Sequence, residues 1–559
     1  MISLRQSNLK SKSEPDLQEE HSINISLEKK DKKANTDGIY QINYSNDFIF
    51  IQNKNVSSRF IKIDRRNMKS SFEILDEDIL LSFKSMKSMN VFAVWGIVEI
   101  LDVEFLILIS KARVAVKIDE SEIYEVLSVK FVTVDIQKFN NMEFEKCWEQ
   151  LMRLKEFLKT GFYFSYSYPL CHNFGGQTKV SQEDLTKNIS QNFFVWNYRA
   201  LKQLLSEVKN GFAFFIPIIQ GFVGKCDLGE MKYILISRRS YIMGGTRFNN
   251  RGIDNFGRVA NFVESETLLQ TKNGWYTFVQ IRGSLPFYWE QFKGVGVNIK
   301  IDQSESINCD ILMKHFELLA EKGYNKVVMF NLLSLKRPEE NKLIEYFQNL
   351  LVKAEDKGLK NVEYEYFDFL AETKETDHSA IDKEVIRMFR QLDLDMSVWN
   401  RGEDGRCEAV KKQSIFVRTN CLDCLDRTNA AQSKLALFAL SKVMSEVGQP
   451  VGDETEVLTE FEGDKKPEFK DLRSLWANNG DAISIIYSGT GATTSSVTRK
   501  GQKSSIGSII DHGFKTLNRL YLNNFDDDYK QDVIDMLLEN KARTLRLHGM
   551  QNSSCDSAC

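Results

Sequence analysis

No charge of one sign dominates this chain. Lysine and arginine total 74 against 77 aspartates and glutamates, a formal net charge of −3 over 559 residues. No global basic field therefore draws it to nucleic acid or to an anionic bilayer, and any anion site must be local. Long apolar runs are missing as well. The stretch from Val91 to Ser110 is broken by Glu99, Asp102 and Glu104, and the one from Gly211 to Val223 is short and holds Pro217. Neither can span a bilayer, so no transmembrane segment is expected. The first residues lack the positive-then-apolar pattern of a secretory signal. Nine cysteines are scattered without a paired framework, and six histidines show no ligand spacing. Both absences argue against a disulfide scaffold and a metal centre, and the expected compartment is reducing and cytoplasmic. What is present, 42% hydrophobic, 11% aromatic and 27% charged residues, is the profile of a globular protein with about two to four domains.

The chain divides by rhythm. Residues 1–38 are rich in Ser, Lys, Glu and Asp with few large hydrophobes, which predicts a disordered tail. From Ile39 to Ile136 apolar residues alternate, and a helical pattern follows from Phe144 to Leu158 before Gly161; residues 39–180 are expected to form a β-rich N-terminal domain. Beyond about residue 180 the pattern changes. Lys326 to Leu333 reads as a buried strand, Pro338 opens a helix with Leu343, Ile344, Phe347, Leu350, Leu351 and Ala354 on one face, and Gly358 precedes a strand from Val362 to Phe369. Such a β-α-β unit needs a parallel sheet, so residues 181–540 are expected to be an α/β domain. Residues 449–469 read as an acidic surface excursion and residues 541–559 as a polar tail.

One site stands out. Ser414 to Val417 is a short strand and Asn429 to Val447 a long helix, so Arg418-Thr-Asn-Cys421-Leu-Asp-Cys-Leu-Asp-Arg427-Thr428 is a strand-to-helix loop. Cys421 and Arg427, with five residues between them at a helix N-terminus, form the phosphate cradle of Cys-dependent phosphatases. Backbone N–H groups and the helix dipole hold phosphate oxygens and favour a thiolate. Arg427 can grip two phosphate oxygens, and Thr428 can donate to the sulfur when it leaves. Cys421 and Cys424 also make a C-x-x-C, which elsewhere marks disulfide exchange or half of a zinc site, although no second ligand pair is present. A reversible bond between them that switches the loop off is a further reading.

The segment Arg418 to Asn429 resembles the signature of the Sac family of phosphoinositide phosphatases, with Asn420 where tyrosine phosphatases carry His. Gly244 to Gly252, Val259 to Glu266, Phe278 to Pro286 and Trp476 to Ser484 resemble Sac segments in the same order, and the likeness runs from about residue 40 to 535. The resemblance implies a β-rich Sac N-terminal domain packed on an α/β catalytic domain. It also implies hydrolysis of monoester phosphates on inositol-lipid headgroups, phosphatidylinositol 4-phosphate or 3-phosphate first, through a phosphocysteine and without a required metal or other cofactor. A protein phosphatase and a non-catalytic phosphoinositide-binding scaffold are the alternatives. Short endoplasmic reticulum and Golgi members finish with two spanning helices, whereas this chain stops at Cys559 after a polar tail. Peripheral contact with endoplasmic reticulum, Golgi or endosomal membranes, aided by a recruiting protein partner, is the expectation. Leu370 stands where many members carry His, and no role is given to it.

For the general acid, Asp423 is preferred; Asp426 is read as orienting Arg427 by a salt bridge, and Asp481 is the remote alternative or an Asx-type turn. Substrate contacts are expected from Arg427, Asn420, Arg247 and Arg251. The last two lie between Arg238 and Arg258, a run of five arginines and one aspartate that reads as a headgroup or membrane face. Arg499, Lys500 and Lys503 form a smaller basic cluster, and Cys555 and Cys559 read as tail thiols.

Overall fold

The computed structural model describes residues 38–538 except 56–58, 67–70, 77–85, 135–140, 178–188, 190–191, 208–213, 293–297, 374–378, 403–405, 449–466 and 493–526. The expected tails, the boundary near residue 180, most of the acidic stretch, the Arg499 cluster and the two tail cysteines lie outside the described residues.

Residues 40–165 give β1 (Tyr40–Tyr44), β2 (Phe48–Asn53), β3 (Arg59–Asp64), β4 (Ser71–Asp76), β5 (Lys87–Val91), β6 (Ala93–Ile100), β7 (Val103–Ile118), β8 (Ser121–Thr133), helix α1 (Asn141–Phe157) and β9 (Phe162–Ser165). Next come α2 (Phe174–Gln177), α3 (Tyr198–Glu207), β10 (Ile218–Leu228), β11 (Met231–Arg239), β12 (Val263–Gln270), β13 (Gly274–Arg282), β14 (Trp289–Phe292), β15 (Asn298–Ile301), α4 (Glu305–Glu321), β16 (Lys326–Asn331), α5 (Pro338–Asp356) and β17 (Val362–Tyr366). The remainder is α6 (Phe369–Glu372), α7 (Ser379–Gln391), β18 (Ser397–Arg401), β19 (Cys407–Lys411), β20 (Ile415–Asn420), α8 (Asp426–Glu446), α9 (Pro467–Ser488) and α10 (Asp527–Leu537).

β1 to β5 form a five-stranded antiparallel sheet, and a 13-stranded sheet runs β17-β16-β20-β13-β12-β11-β10-β9-β8-β7-β6 with β18 and β19 attached to β13. The pairing of Phe164 with Ile218 carries this sheet from the N-terminal strands into the later ones. Val103 to Ile118 is a single strand of 16 residues, in which register shifts near Lys111 and Val116 absorb the break in alternation. Parallel pairing is confined to β17, β16, β20 and β13, and the rest is antiparallel. The sheet is therefore mixed rather than parallel throughout.

β16 is buried on both faces. Val327 and Met329 pack into one core with Leu312, Leu343 and Phe347 of α4 and α5, while Val328 and Phe330 pack into another with Phe389, Leu435 and Trp476 of α7, α8 and α9. Helices thus cover both sides of the parallel edge. Consecutive strand residues face opposite sides, so Val417 and Cys421 share the α8 side, where both belong to the same core.

Candidate active site

β20 runs to Asn420 and α8 begins at Asp426, three residues earlier than the hydrophobic pattern places it. Arg427 and Thr428 are therefore in the first helical turn, and the loop between strand and helix is Cys421 to Leu425. Cys424 turns it with φ 54. Leu425, at the helix cap, offers no side-chain cap bond, so no side chain at that position competes for the first N–H groups of α8. Cys421 is 4% exposed, and the Thr428 hydroxyl donates to its sulfur at 3.4 Å. Arg427 Nη1 donates to Glu340 Oε2 at 2.7 Å and to the Leu332 carbonyl at 3.0 Å, while Nη2 donates to Glu340 Oε1 at 2.9 Å. Burial opposes the Arg427 charge, and Cys421 and Glu340 outweigh it, holding the guanidinium above its ordinary range.

Asp423 lies among arginines. Its Oδ1 is 3.0 Å from Arg247 Nε and 2.5 Å from Arg251 Nη2, and Arg251 Nη1 donates to the Leu422 carbonyl at 2.8 Å. The structure thus brings Arg247, Arg251 and Asp423 together at the loop. The basic run as a whole is not one charged face. Arg238 and Arg239 are fully buried: Arg238 pairs with Glu264 at 3.0 Å and Glu266 at 2.8 Å, and Arg239 donates to Gln220 and Gly245. Arg258 pairs with Asp254 at 2.6 Å. The period of two in β11 sends its last two arginines into opposite cores, which a count of charges cannot register.

Asn420 is fully buried and donates to Asn331 Oδ1 at 2.8 Å, tying the ends of β20 and β16. Asp426 is half-buried in the first turn of α8. Asp481 lies inside α9 rather than in a turn before a buried segment, and its Oδ1 accepts from the Ala492 N–H at 2.8 Å. Cys424 is a thiol that donates to the Gly283 carbonyl at 3.1 Å and the Cys421 carbonyl at 3.4 Å. Burial, then the neighbouring Cys421, pushes it up to about 12. A cavity of about 240 Å³ lined by His172, Phe194, Glu264, His315 and Tyr324 lies on the far side of the sheet from Cys421.

The family model described as SacI homology domain matches residues 92–374, half of the chain. This chain belongs to the SacI homology domain family. Among curated proteins it is 33% identical over 431 residues to phosphatidylinositol-3-phosphatase SAC1-A of Danio rerio, covering 75% of this chain and 70% of that protein. It is 32% identical to phosphoinositide phosphatase SAC6 of Arabidopsis thaliana, covering 82% of this chain and 76% of that one. It is 30% identical to inositol-1,4,5-trisphosphate 5-phosphatase 1 of Schizosaccharomyces pombe, covering 84% of this chain but only 45% of that protein's length.

In this Sac-family chain the sequence reading missed Glu340. It lies in the first turn of α5, where an acidic residue after Pro338 passes for ordinary helix-dipole matching. Its 1% exposure was the missing signal, since a carboxylate that buried requires a cation. The Sac-like segment Trp476 to Ser484 works through packing. A side chain at Gly480 would meet Asn429 Nδ2 at 2.8 Å, so a larger residue there would push the buried Asn429 amide out of its place between α9 and α8. Among the described residues no helix is long and apolar enough to cross a membrane.

Proposed function

We propose that this chain is a Cys-dependent phosphoinositide phosphatase acting on monoester phosphates of inositol-lipid headgroups. The observation that carries the reading is the bond from Thr428 to the Cys421 sulfur at a helix N-terminus, beside an arginine held bidentately by Glu340. The Cys421 thiolate attacks phosphorus; the S–P bond forms as the P–O bond to the inositol ring breaks, and Asp423 gives a proton to the leaving oxygen. Water then attacks the phosphocysteine and yields its proton to Asp423. Phosphate departs, and the electron pair of the S–P bond returns to a sulfur that Thr428 stabilises. Arg427 and the loop N–H groups hold the equatorial oxygens throughout. An incoming headgroup phosphate that takes over Arg247 and Arg251 releases Asp423 Oδ1.

Phosphatidylinositol 4-phosphate and 3-phosphate are the proposed substrates. One relative is named for the 3-phosphate. The relative named for a 5-phosphatase extends far beyond the shared region, so its activity is not carried over. The bilayer side is proposed to be the C-terminal end of the parallel strands. There Leu335 and Leu370, 52% and 40% exposed, flank exposed Lys336 and Arg337 on the connections after β16 and β17. An apolar tip with basic neighbours suits peripheral contact with anionic lipid.

The test is phosphate release from a full panel of phosphoinositides in vesicles beside a phosphotyrosine peptide. Release confined to the lipids supports the reading. Release from the peptide alone makes the chain a protein phosphatase, and binding without release makes it a scaffold.

A further inference from the structure

A guanidinium removed from water needs an anion nearby, because the desolvation of an unpaired ion is large. Most arginines around the loop have one: Arg427 has Glu340, and Arg247 and Arg251 have Asp423. Arg282, the last residue of β13, does not. It is fully buried, and its hydrogen bond is a long one, from Nη2 to Asn429 Oδ1 at 3.5 Å. Its Nε and Nη1 have no partner. Asn429 in turn accepts from Asn479 and donates to the Trp476 carbonyl, and Asn479 accepts from Ser237. The surroundings are neutral amides and hydroxyls, and among the described residues Arg282 makes no ion pair.

Its position points to the anion. Arg282 is paired in register with Thr419 of β20, and Thr419 is two residues before Cys421, on the same face of the strand. The Thr419 hydroxyl is also buried without a partner. Asn429 follows Thr428, the donor to the Cys421 sulfur, and the carbonyl of Gly283, next to Arg282, accepts from Cys424. The groups whose charge bears on Arg282 are Cys424 and then Cys421. Cys424 is held as a thiol by its two carbonyl acceptors, which leaves Cys421. Arg418 lacks a carboxylate too, but it lies on the other face, bonded to His315 at 3.2 Å and the Ser284 carbonyl at 2.6 Å.

We propose that Arg282 is the buried countercation of the Cys421 thiolate, a positioning residue behind the phosphate loop that keeps the nucleophile charged while Arg427 serves the substrate. This rests on Cys421 being the nucleophile. The arrangement divides the work: Arg427, held charged by both Cys421 and Glu340, faces the substrate, and Arg282 adds a second cation behind the sulfur. The charged and titratable groups around Cys421 are Arg282 of β13, Arg418 of β20, Asp423 and Cys424 of the loop, Arg427 of α8, Glu340 of α5 through Arg427, and Arg247 and Arg251 through Asp423.

The test is iodoacetamide alkylation of Cys421, followed by mass spectrometry across pH, in the wild type, Arg282→Met and Arg282→Lys. Arg282→Met is expected to slow alkylation about tenfold or more at pH near 6.5, with the rates converging near pH 9.5 as any thiol ionises there. Arg282→Lys is expected to stay within about threefold of the wild type, since it keeps a charge. A Met curve that overlays the wild type, or Met and Lys curves displaced equally, overturns the proposal, the second by showing that only shape matters. Cys421→Ser removes the anion, so adding Arg282→Met to it should raise the unfolding midpoint; an unchanged or lower midpoint also counts against the pair. Wild-type Cys421 that reacts no faster than a free thiol near pH 6.5 removes the nucleophile reading itself, an outcome distinct from failure at Arg282.

Discussion

Replacing Glu340 by glutamine tests whether the grip on Arg427 matters to the chemistry. The carboxylate accepts four hydrogen bonds: Arg427 at 2.7 and 2.9 Å, Arg337 at 3.1 Å and the Ser334 N–H at 2.8 Å. Glutamine keeps one oxygen, so two of the four survive and an amide N–H is turned against donors at the other two. Each lost charge-assisted bond is worth about 1.5 to 3 kcal/mol when buried, and Arg427 retains 13% exposure, which lets water recover part of it. The expected destabilisation is therefore about 3 kcal/mol, read from urea unfolding. The rate effect is separate. A guanidinium held on one side only loses its orientation, and misplacement of a catalytic group by an ångström removes about 100-fold in rate. We expect kcat/KM for phosphatidylinositol 4-phosphate to fall by about that factor at a temperature where both proteins are folded. Arg337→Ala is the control, assayed on a short-chain soluble substrate where membrane contact plays no part: its side chain is 54% exposed, and both readouts should move little. Glu340→Gln with kcat/KM within threefold of the wild type would refute the view that Glu340 orients Arg427.

Cys421→Ser should abolish turnover while headgroup binding persists, because a hydroxyl is almost wholly protonated at neutral pH; near-normal phosphate release would remove Cys421 as nucleophile. Thr428→Val, which loses the donor to sulfur, should slow hydrolysis of the intermediate more than its formation, so acid-quenched enzyme should carry more labelled phosphate than the wild type; less label would place Thr428 in the first step. His315 is pushed down to about 3 by burial and by Arg418. With its folded value below the unfolded one, it contributes stability above pH 6.5 that is lost as the pH falls toward 3, at up to about 1.4 kcal/mol per unit. His315→Gln should flatten the fall of the urea midpoint between pH 6.5 and 4.5, and equal slopes would exclude the histidine as its source. Arg247→Gln with Arg251→Gln should reduce hydrolysis of vesicle and short-chain soluble substrates together, since both residues hold Asp423; loss confined to vesicles would make them a membrane face instead.

Locality decides what could be read from the sequence. Cys421, Arg427 and Thr428 lie within eight positions, and a short strand before them and a long helix after them suffice to draw the loop. The residues missed are distant in the chain. Glu340 meets Arg427 across 87 positions, and nothing near either names the other. The Arg238 to Arg258 run misled because charge was counted without pairing. Arg238 stands opposite Glu264 in the β11–β12 register, and the alternating Glu264 and Glu266 were the available sign of an internal ion cluster. The first turn of α8 lies outside the apolar pattern because Asp426, Arg427 and Thr428 are polar, and an apolar stripe cannot mark a turn made of polar residues.

The topology explains why these distant residues meet. In the chain, β16 leads through α5 to β17, and β20 comes last; in the sheet, β20 is inserted between β16 and β13. After β16 the chain leaves toward the core of α4 and α5, and after β20 it leaves toward the core of α7, α8 and α9. Two adjacent parallel strands whose continuations depart to opposite faces leave a crevice beyond their C-terminal ends, the place where open α/β sheets bind ligands. Asn331 and Asn420, paired in register and hydrogen-bonded, mark its floor. Arg427 spans it, donating to the Leu332 carbonyl and to Glu340 on the far lip. The carboxylate that steadies Arg427 comes from α5 because α5 begins on the lip opposite α8. A loop motif that is local in sequence thus acquires its geometry from a strand order that no local pattern encodes.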